Sequence, residues 1–150
     1  MAIEIKISLN EGIYLKDPQD SALGRKIIQH GILLIDQLGF EAFNFKKLAQ
    51  EIGSTEASVY RYFENKKSLL TYLVSWYWVW VEYLIQRNTM NITDPKKKLE
   101  IIIQSFVSAS EDNVNTEYID ENILHNIVIA EGTKAYKTKD VDEENGKGFF

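Results

Sequence analysis

Apolar residues recur at the spacing of an α-helix through most of this chain. In the stretch from Asn44 to Lys67 they predict two short helices joined by a tight turn, followed directly by the start of a third helix. Asn44 can cap the first of these helices, and Gly53 can adopt the positive φ with which a chain leaves a helix end. Helix, glycine-containing turn and helix form the helix-turn-helix pattern, whose second helix enters the major groove of DNA.

A helix on each side of this stretch gives its apolar side chains something to pack against. The helix before it begins at Asp20 or Ser21 and ends at Gly39, and the short link that follows makes the first two helices neighbours in space. Ser54 or Thr55 can cap the second helix of the motif. The predicted core of this three-helix head contains Ile27, Leu34, Phe40, Phe45, Leu48, Ala49, Val59 and Phe63.

The helix predicted from about Lys66 to Arg87 carries aromatic side chains around most of its circumference. These side chains are Tyr72, Trp76, Tyr77, Trp78, Trp80 and Tyr83. A helix that is apolar nearly all round must be covered on most sides, and the head is too small to do this alone. The pattern therefore predicts a second layer of helices.

Two further helical segments supply this layer. One begins at Asp94 and Pro95, a favoured start signal, and continues to about Ser110. Its predicted inward residues are Leu99, Ile102, Ile103, Phe106 and Val107. The other runs from Tyr118 to Glu131 and ends at Gly132. Its predicted inward residues are Ile119, Ile123, Ile127 and Ala130.

The predicted fold is therefore all-α, in three parts. Residues 1–20 form an N-terminal arm, residues 21–67 a helix-turn-helix DNA-binding domain and residues 68–150 a helical regulatory domain. The last residues are two phenylalanines that follow an acidic helix-start signature, which indicates a helix cut short. We expect the chain to be a fragment of a longer protein or to lack its last helices.

The arm has a different pattern from the rest of the chain. Ile3, Ile5 and Ile7 alternate with charged residues, and Ile13–Leu15 is a second β-prone run. These features predict a short β-hairpin or an extended arm. An unstructured leader is the alternative, because an isolated two-stranded hairpin is marginally stable in water.

Composition narrows the available chemistry. With 45% apolar and 26% charged residues, the chain has the balance of a globular protein. It contains no cysteine, which excludes a disulfide framework, thiol catalysis and cysteine-ligated zinc and fits a reducing cytoplasm. The most apolar stretch, Leu69–Ile85, is at the short limit for a membrane span and carries Glu82, so a buried helix is favoured.

The net charge of −5 is unevenly distributed. Residues 21–70 contain seven basic and five acidic side chains, a net +2, which leaves −7 for the rest of the chain. A basic head on an acidic body is typical of proteins in which a minor part touches phosphate.

Candidates for catalysis are sparse. The two histidines are 95 positions apart, and the eight glycines are scattered without the spacing of a phosphate-cradling loop. An enzyme that used a pocket along the long helix would need a titratable pair that the sequence does not provide. We therefore expect no catalytic residues, no metal site and no cofactor.

Several short motifs resemble the TetR-type bacterial transcriptional regulators, the tetracycline-repressor-like family, over about residues 21–70. The matching residues are Gly39-Phe40, Phe45-Lys46-Lys47-Leu48-Ala49, Gly53-Ser54-Thr55, Val59-Tyr60-Arg61-Tyr62-Phe63, Asn65-Lys66 and Leu69-Leu70. The resemblance implies a homodimeric, ligand-responsive repressor. In such a protein the two heads bind a pseudo-palindromic operator in double-stranded DNA, and the body binds a small-molecule effector that alters their spacing.

The same resemblance assigns DNA contacts residue by residue. Phosphate contacts are implied for Thr55, Ser58, Tyr60, Tyr62 and Lys66, and a phosphate or base contact for Lys46. Glu56 and Ala57 lie where the second helix meets base edges. Hydroxyls and lysines are usual phosphate partners, and a small alanine allows close approach to the groove. A glutamate there can accept a hydrogen bond from cytosine N4 but repels nearby phosphates.

Three residues of the body are candidates for the effector site: Trp76, Trp80 and His125. Each has an alternative, because large aromatic side chains dominate protein cores and a lone histidine in an apolar helix is usually a satisfied core residue. The whole chain also has an alternative function, a helical protein-interaction module with a structural helix-turn-helix and an acidic docking surface.

Overall fold

The computed structural model describes residue 9, residues 11–108 and residues 118–136 of the chain. These residues form an all-α fold, as predicted. The helices are α1 (Ala22–Leu38), α2 (Phe45–Glu51), α3 (Glu56–Tyr60), α4 (Lys66–Thr89), α5 (Pro95–Ser108) and α6 (Glu121–Tyr136). The first three helices and the start of α4 make the head, and α5 and α6 pack along α4.

The starts of four helices follow from local side-chain chemistry. In each case a side-chain oxygen accepts a hydrogen bond from the backbone N–H three residues further on. The distances are 2.9 Å at Ser21, 2.8 Å at Asn44, 3.2 Å at Thr55 and 2.9 Å at Asn65. Such a cap contributes about 1 kcal/mol, because it satisfies one of the donors that a helix leaves open. The predicted starts of the head helices and of α4 are confirmed.

One core joins the head to the body. Seven of the eight predicted head-core residues are buried, and Leu34 is half-buried. Leu34 precedes the fully buried Ile35 by one position, about 100° around the helix, so it lies at the edge of the buried face of α1. The aromatic side of α4 continues the core through Tyr72, Trp76 and Trp80, as the pattern of that helix requires.

Helix α6 differs from its prediction at both ends. It begins at Glu121, passes through Gly132 without interruption and ends at Tyr136. A glycine inside a helix costs only about 1 kcal/mol relative to alanine, and packing of the last turn against α4 offsets this cost. In that turn Ala135 is buried and its carbonyl accepts a hydrogen bond from Thr71 Oγ1 at 3.3 Å. Ala130, predicted to face inward, is exposed.

Helix α5 turns a different side to α4 from the one that its pattern predicts. Ser105 is its most buried residue, at 2% exposure, and Ser105 Oγ accepts a hydrogen bond from Asn88 Nδ2 of α4 at 3.1 Å. A small side chain with a polar partner allows close helix packing on this side, and most of the apolar stripe is left exposed. Four predicted inward residues, Leu99, Ile103, Phe106 and Val107, are 44–64% exposed. Trp78 of α4, also exposed, lies edge-on to Phe106, and these five residues are here named the α5 face.

The described part of the arm contains two short 3-10 helices, Glu11–Ile13 and Pro18–Asp20. The β-prone interpretation of Ile13–Leu15 is wrong, because Leu15 N donates its hydrogen bond to Tyr62 O of the head at 2.8 Å instead of to a second strand. The alternating residues Ile3, Ile5 and Ile7 lie outside the described residues. None of the helices in the described ranges combines the length and hydropathy that crossing a bilayer requires.

Candidate nucleic-acid interface

A tight turn sets α3 against α2. Gly53 has a φ of 66°, the left-handed conformation expected for it, and Ser54 N donates a hydrogen bond to Ala49 O at 2.9 Å. The inward side of α3 is fixed by the buried Val59. Tyr60 packs edge-on against Phe45, with ring centres 5.0 Å apart. The second helix of the motif is therefore anchored by one apolar side and one aromatic contact.

The opposite surface of α2 and α3 faces solvent. Lys46, Thr55, Glu56, Ala57 and Tyr60 are all exposed, and Ser58 is half-buried. Six of the eight residues predicted to contact DNA are thus accessible on α2, on α3 or at the cap of α3, and together they are here named the α2–α3 surface. Tyr60 is 47% exposed, so its ring packs on the head while the rest of the side chain remains accessible.

The hydroxyls of Thr55 and Ser58 are paired on this surface. Their oxygens lie 2.8 Å apart, and Thr55 Oγ1 also accepts the capping bond from Ser58 N. Two hydroxyls carry two hydrogens and their mutual bond uses one, so the other can be donated to a phosphate oxygen.

Tyr62 and Lys66 lie elsewhere in the head. Tyr62 is 3% exposed and its hydroxyl is 2.6 Å from Ser21 Oγ, the residue that caps α1. Lys66 Nζ donates to the carbonyls of Phe40, Glu41 and Phe43 at 2.9, 3.2 and 3.0 Å. An ammonium group has three hydrogens, and these three carbonyls take them all. The geometry therefore argues against a phosphate contact by Lys66 and gives both side chains a structural role that the sequence did not indicate.

The three candidate effector residues belong to one aromatic cluster in the body. Trp76 and Trp80 are buried and stacked, with ring centres 6.4 Å apart and planes 14° apart. His125 of α6 reaches the cluster through Tyr77, whose hydroxyl is 2.5 Å from His125 Nδ1. Burial raises the pKa of Tyr77, so the phenol keeps its hydrogen, and the tautomer of His125 sets which group donates in this bond. Tyr77 is not among the effector-site residues predicted from the sequence, although it is next to Trp76 in the chain.

The two buried tryptophans of this cluster each have an indole N–H group that donates no hydrogen bond within the described residues. In the part of the chain that the structure describes, neither Trp76 Nε1 nor Trp80 Nε1 has a hydrogen-bond partner. An unsatisfied buried donor costs about 1–3 kcal/mol, which a water molecule or a ligand acceptor beside the cluster would recover. The three predicted effector residues therefore lie in one cluster, and its two indole N–H groups are available to donate to an acceptor atom of a bound molecule.

Comparison with known proteins is consistent with this architecture. Residues 27–73 match the family described as "Bacterial regulatory proteins, tetR family". The head is a TetR-type domain. The match falls on the stretch whose motifs indicated this family, and it includes the whole α2–α3 surface.

A solved structure resembles a larger part of the chain. The chain is similar to the chain in the "Crystal structure of apo AibR", with a TM-score of 0.57 and 19% sequence identity. The similarity covers 82% of this chain and 63% of that one, so this chain spans less than two thirds of that chain's length. At this identity the likeness shows the fold alone, and it extends the common architecture from the head into the helical body. None of the curated proteins matches the chain.

Proposed function

We propose that this chain is a transcriptional regulator whose TetR-type head binds double-stranded DNA through the α2–α3 surface. The observation that carries the proposal is the exposure of Lys46, Thr55 and Tyr60, with Ser58, on the part that matches the regulator family. Ammonium and hydroxyl groups are usual phosphate partners and fix a protein on the duplex. Glu56 and Ala57, exposed at the start of α3, are the candidates for contacts to base edges.

We further propose that two copies act together as a repressor on a pseudo-palindromic operator. A head of net charge +2 with a five-residue second helix offers few contacts, and a second head on a second half-site adds its own. In a dimer the second binding event is intramolecular, which raises the overall affinity without any new contact. The half-sites would lie about 34 Å apart, or a multiple of this distance.

The body supplies the response to a small molecule in this proposal. The aromatic cluster of Trp76, Trp80 and His125 is the candidate effector site, because it combines stacked rings with open indole donors and one imidazole. The domain division at residues 21–67 and 68–150 separates DNA binding from effector binding. The proposal gives the chain no catalytic role and places it in the cytoplasm, where it would meet DNA.

The first test is selection of a duplex from a random library by the full chain, followed by affinity measurements over a range of salt concentrations. Lys46→Met should reduce the slope of log K against log salt by about 0.9, since each phosphate contact releases one condensed counterion. Tyr60→Phe, which keeps the aromatic contact with Phe45, should weaken binding about twofold to tenfold through loss of its hydroxyl.

Lys97→Met is the matched control, because Lys97 is an exposed lysine on α5, away from the α2–α3 surface. Its salt slope should equal that of the wild type. If the Lys46 and Lys97 variants have the same slope, the α2–α3 surface is not the DNA-binding surface.

A second candidate function is a helical protein-interaction module. The α5 face favours it, because exposed apolar side chains that lie together often mark protein–protein interfaces. Retention on random duplex DNA at low salt separates the two functions. A chain that is not retained, and whose self-association or partner binding is lost in Phe106→Ser, would act through the α5 face.

A further inference from the structure

Two side chains of α6 reach across the molecule to residues 39–44, which connect α1 to α2 and are here named the 39–44 link. Glu131 Oε1 accepts a hydrogen bond from Phe40 N at 3.3 Å. Lys134 Nζ lies 2.6 Å from Glu131 Oε2 and 3.2 Å from Glu41 Oε1. The body therefore holds the head by a small polar network as well as by apolar packing.

The 39–44 link determines where α2 begins. It starts at Gly39, whose φ of 79° turns the chain away from α1, and it ends at Asn44, whose side chain caps α2. Phe43 between them is fully buried. Because α3 packs on α2 through Phe45 and Tyr60, a displacement of the link is passed on to the α2–α3 surface.

The link is held by residues of both α4 and α6. Lys66 of α4 binds three of its carbonyls, and the Lys66 ammonium lies 4.6 Å from the centre of the Phe40 ring. From α6, Lys134 lies 6.0 Å from the same ring. The α6 side is the weaker one, since Glu41 is exposed and an exposed ion pair contributes little.

We propose that Glu131 and Lys134 are positioning residues of a latch through which α6 holds the 39–44 link and, through it, the α2–α3 surface. This inference rests on the proposed function, because the latch regulates DNA binding by that surface. When α6 moves away from the link, the contacts to Phe40 and Glu41 separate and the link keeps only its contacts within the head. The head then gains conformational freedom that DNA binding must remove, so its affinity falls.

The test uses the full chain with Glu131→Met and Lys134→Met together, which removes the acceptor for Phe40 N–H and one charge of each sign and keeps the net charge. Amide hydrogen exchange of the 39–44 link should accelerate severalfold. Affinity for the selected duplex should fall on the order of fivefold, the lower end of usual coupling between sites. The salt slope should stay at the wild-type value, because no phosphate contact is removed.

The matched control is Lys97→Met with Glu100→Met, which replaces an exposed pair of opposite charges on α5. It should change neither the exchange rate nor the affinity. Glu41→Gln, which removes only the exposed partner of Lys134, keeps the test decisive if the double variant unfolds, and it should show the same two effects at smaller size.

Unchanged exchange of the link would overturn the latch. Faster exchange with unchanged DNA affinity would overturn its coupling to the α2–α3 surface. A wild-type chain that binds no duplex would instead refute the proposed function, and the exchange rates would still decide whether α6 restrains the link.

Discussion

Lys46 on α2 projects into solvent, whereas the ammonium group of Lys66 at the start of α4 is enclosed by three backbone carbonyls. Both lysines lie inside the matched family segment. Their side chains have the same donors and charge, so the difference arises from what surrounds them. Residues 40–43 curve around the end of Lys66, and this geometry is set more than 20 positions away in the chain. A pattern of neighbouring residues around Lys66 therefore cannot predict this contact.

Lys66→Met should therefore act on stability. It leaves three carbonyls without their shared donor, and we expect a loss of about 1–3 kcal/mol in the free energy of unfolding. Chemical denaturation measures this loss. The salt slope of DNA binding should remain close to the wild-type value, since the ammonium is already used inside the protein.

Lys46→Met serves as the reciprocal control. Because its side chain is exposed, the free energy of unfolding should change by no more than about 0.5 kcal/mol. If Lys66→Met lowers the salt slope and leaves stability unchanged, the carbonyl contacts are not the main task of Lys66.

At the scale of elements, two glycines in different backbone conformations test which residues determine where a helix ends. Gly132 lies inside α6, and a Cβ added there would meet Val128 Cγ1 at 3.7 Å, an ordinary contact. Gly132→Ala should raise the free energy of unfolding by about 0.5–1 kcal/mol, because alanine loses less backbone entropy in a helix. An increase in melting temperature is the readout.

Gly53→Ala should have the opposite sign. Gly53 adopts a φ of 66° in the turn between α2 and α3, and a side chain in that conformation costs about 1 kcal/mol or more. Stabilisation by both substitutions would contradict the assigned conformation of Gly53.

Helix ends that depend on neighbouring residues can be predicted from the sequence, whereas helix ends that depend on distant contacts cannot. Asn44, Thr55 and Gly53 act on backbone groups within a few residues, so the caps and the turn of the head could be predicted. The end of α6 could not, because its last turn is stabilised by Thr71 of α4 and not by neighbours in the chain. The orientation of α5 depends likewise on the Asn88–Ser105 bond, a polar contact that an apolar pattern does not reveal.

At the scale of the whole molecule, contacts between distant segments were the hardest to predict. The aromatic bulk of α4 indicated that a second layer must exist, and the candidate residues Trp76, Trp80 and His125 do lie in one cluster. By contrast, the predicted DNA contacts at Tyr62 and Lys66 coincide with internal contacts, and Glu131 received no role at all. Its partner Phe40 lies 91 positions away, and no spacing rule joins the two.

The contact between body and head should depend on pH. The hydrogen bond from Lys134, and a weaker one from Phe40 N–H, hold the pKa of Glu131 below its ordinary value of 4.5. A carboxyl with a lowered pKa stabilises the fold fully above that ordinary value and ceases to do so as the pH falls through the lowered one. Acidification below about pH 4.5 should therefore remove this contribution.

Unfolding of the wild type and of Glu131→Gln at pH 7, 4.5 and 3 measures the effect. The wild type should be the more stable at pH 7, and the difference should shrink toward pH 3 as Glu131 becomes protonated. Glu100→Gln, at an exposed position on α5, should show no such convergence. A constant gap between wild type and Glu131→Gln would mean that the carboxylate charge does not contribute.

The alternation of tryptophans along α4 has a practical consequence. Trp76 and Trp80 are enclosed in the core, while Trp78, 46% exposed, lies edge-on to Phe106 in the α5 face. A water-soluble quencher reaches only the exposed indole, so fluorescence from the two environments can be separated in the unlabelled chain. One signal then reports on any molecule that covers α5, and the other on any molecule that enters the aromatic cluster. The protein thus contains its own optical probes for the α5 face and for the aromatic cluster.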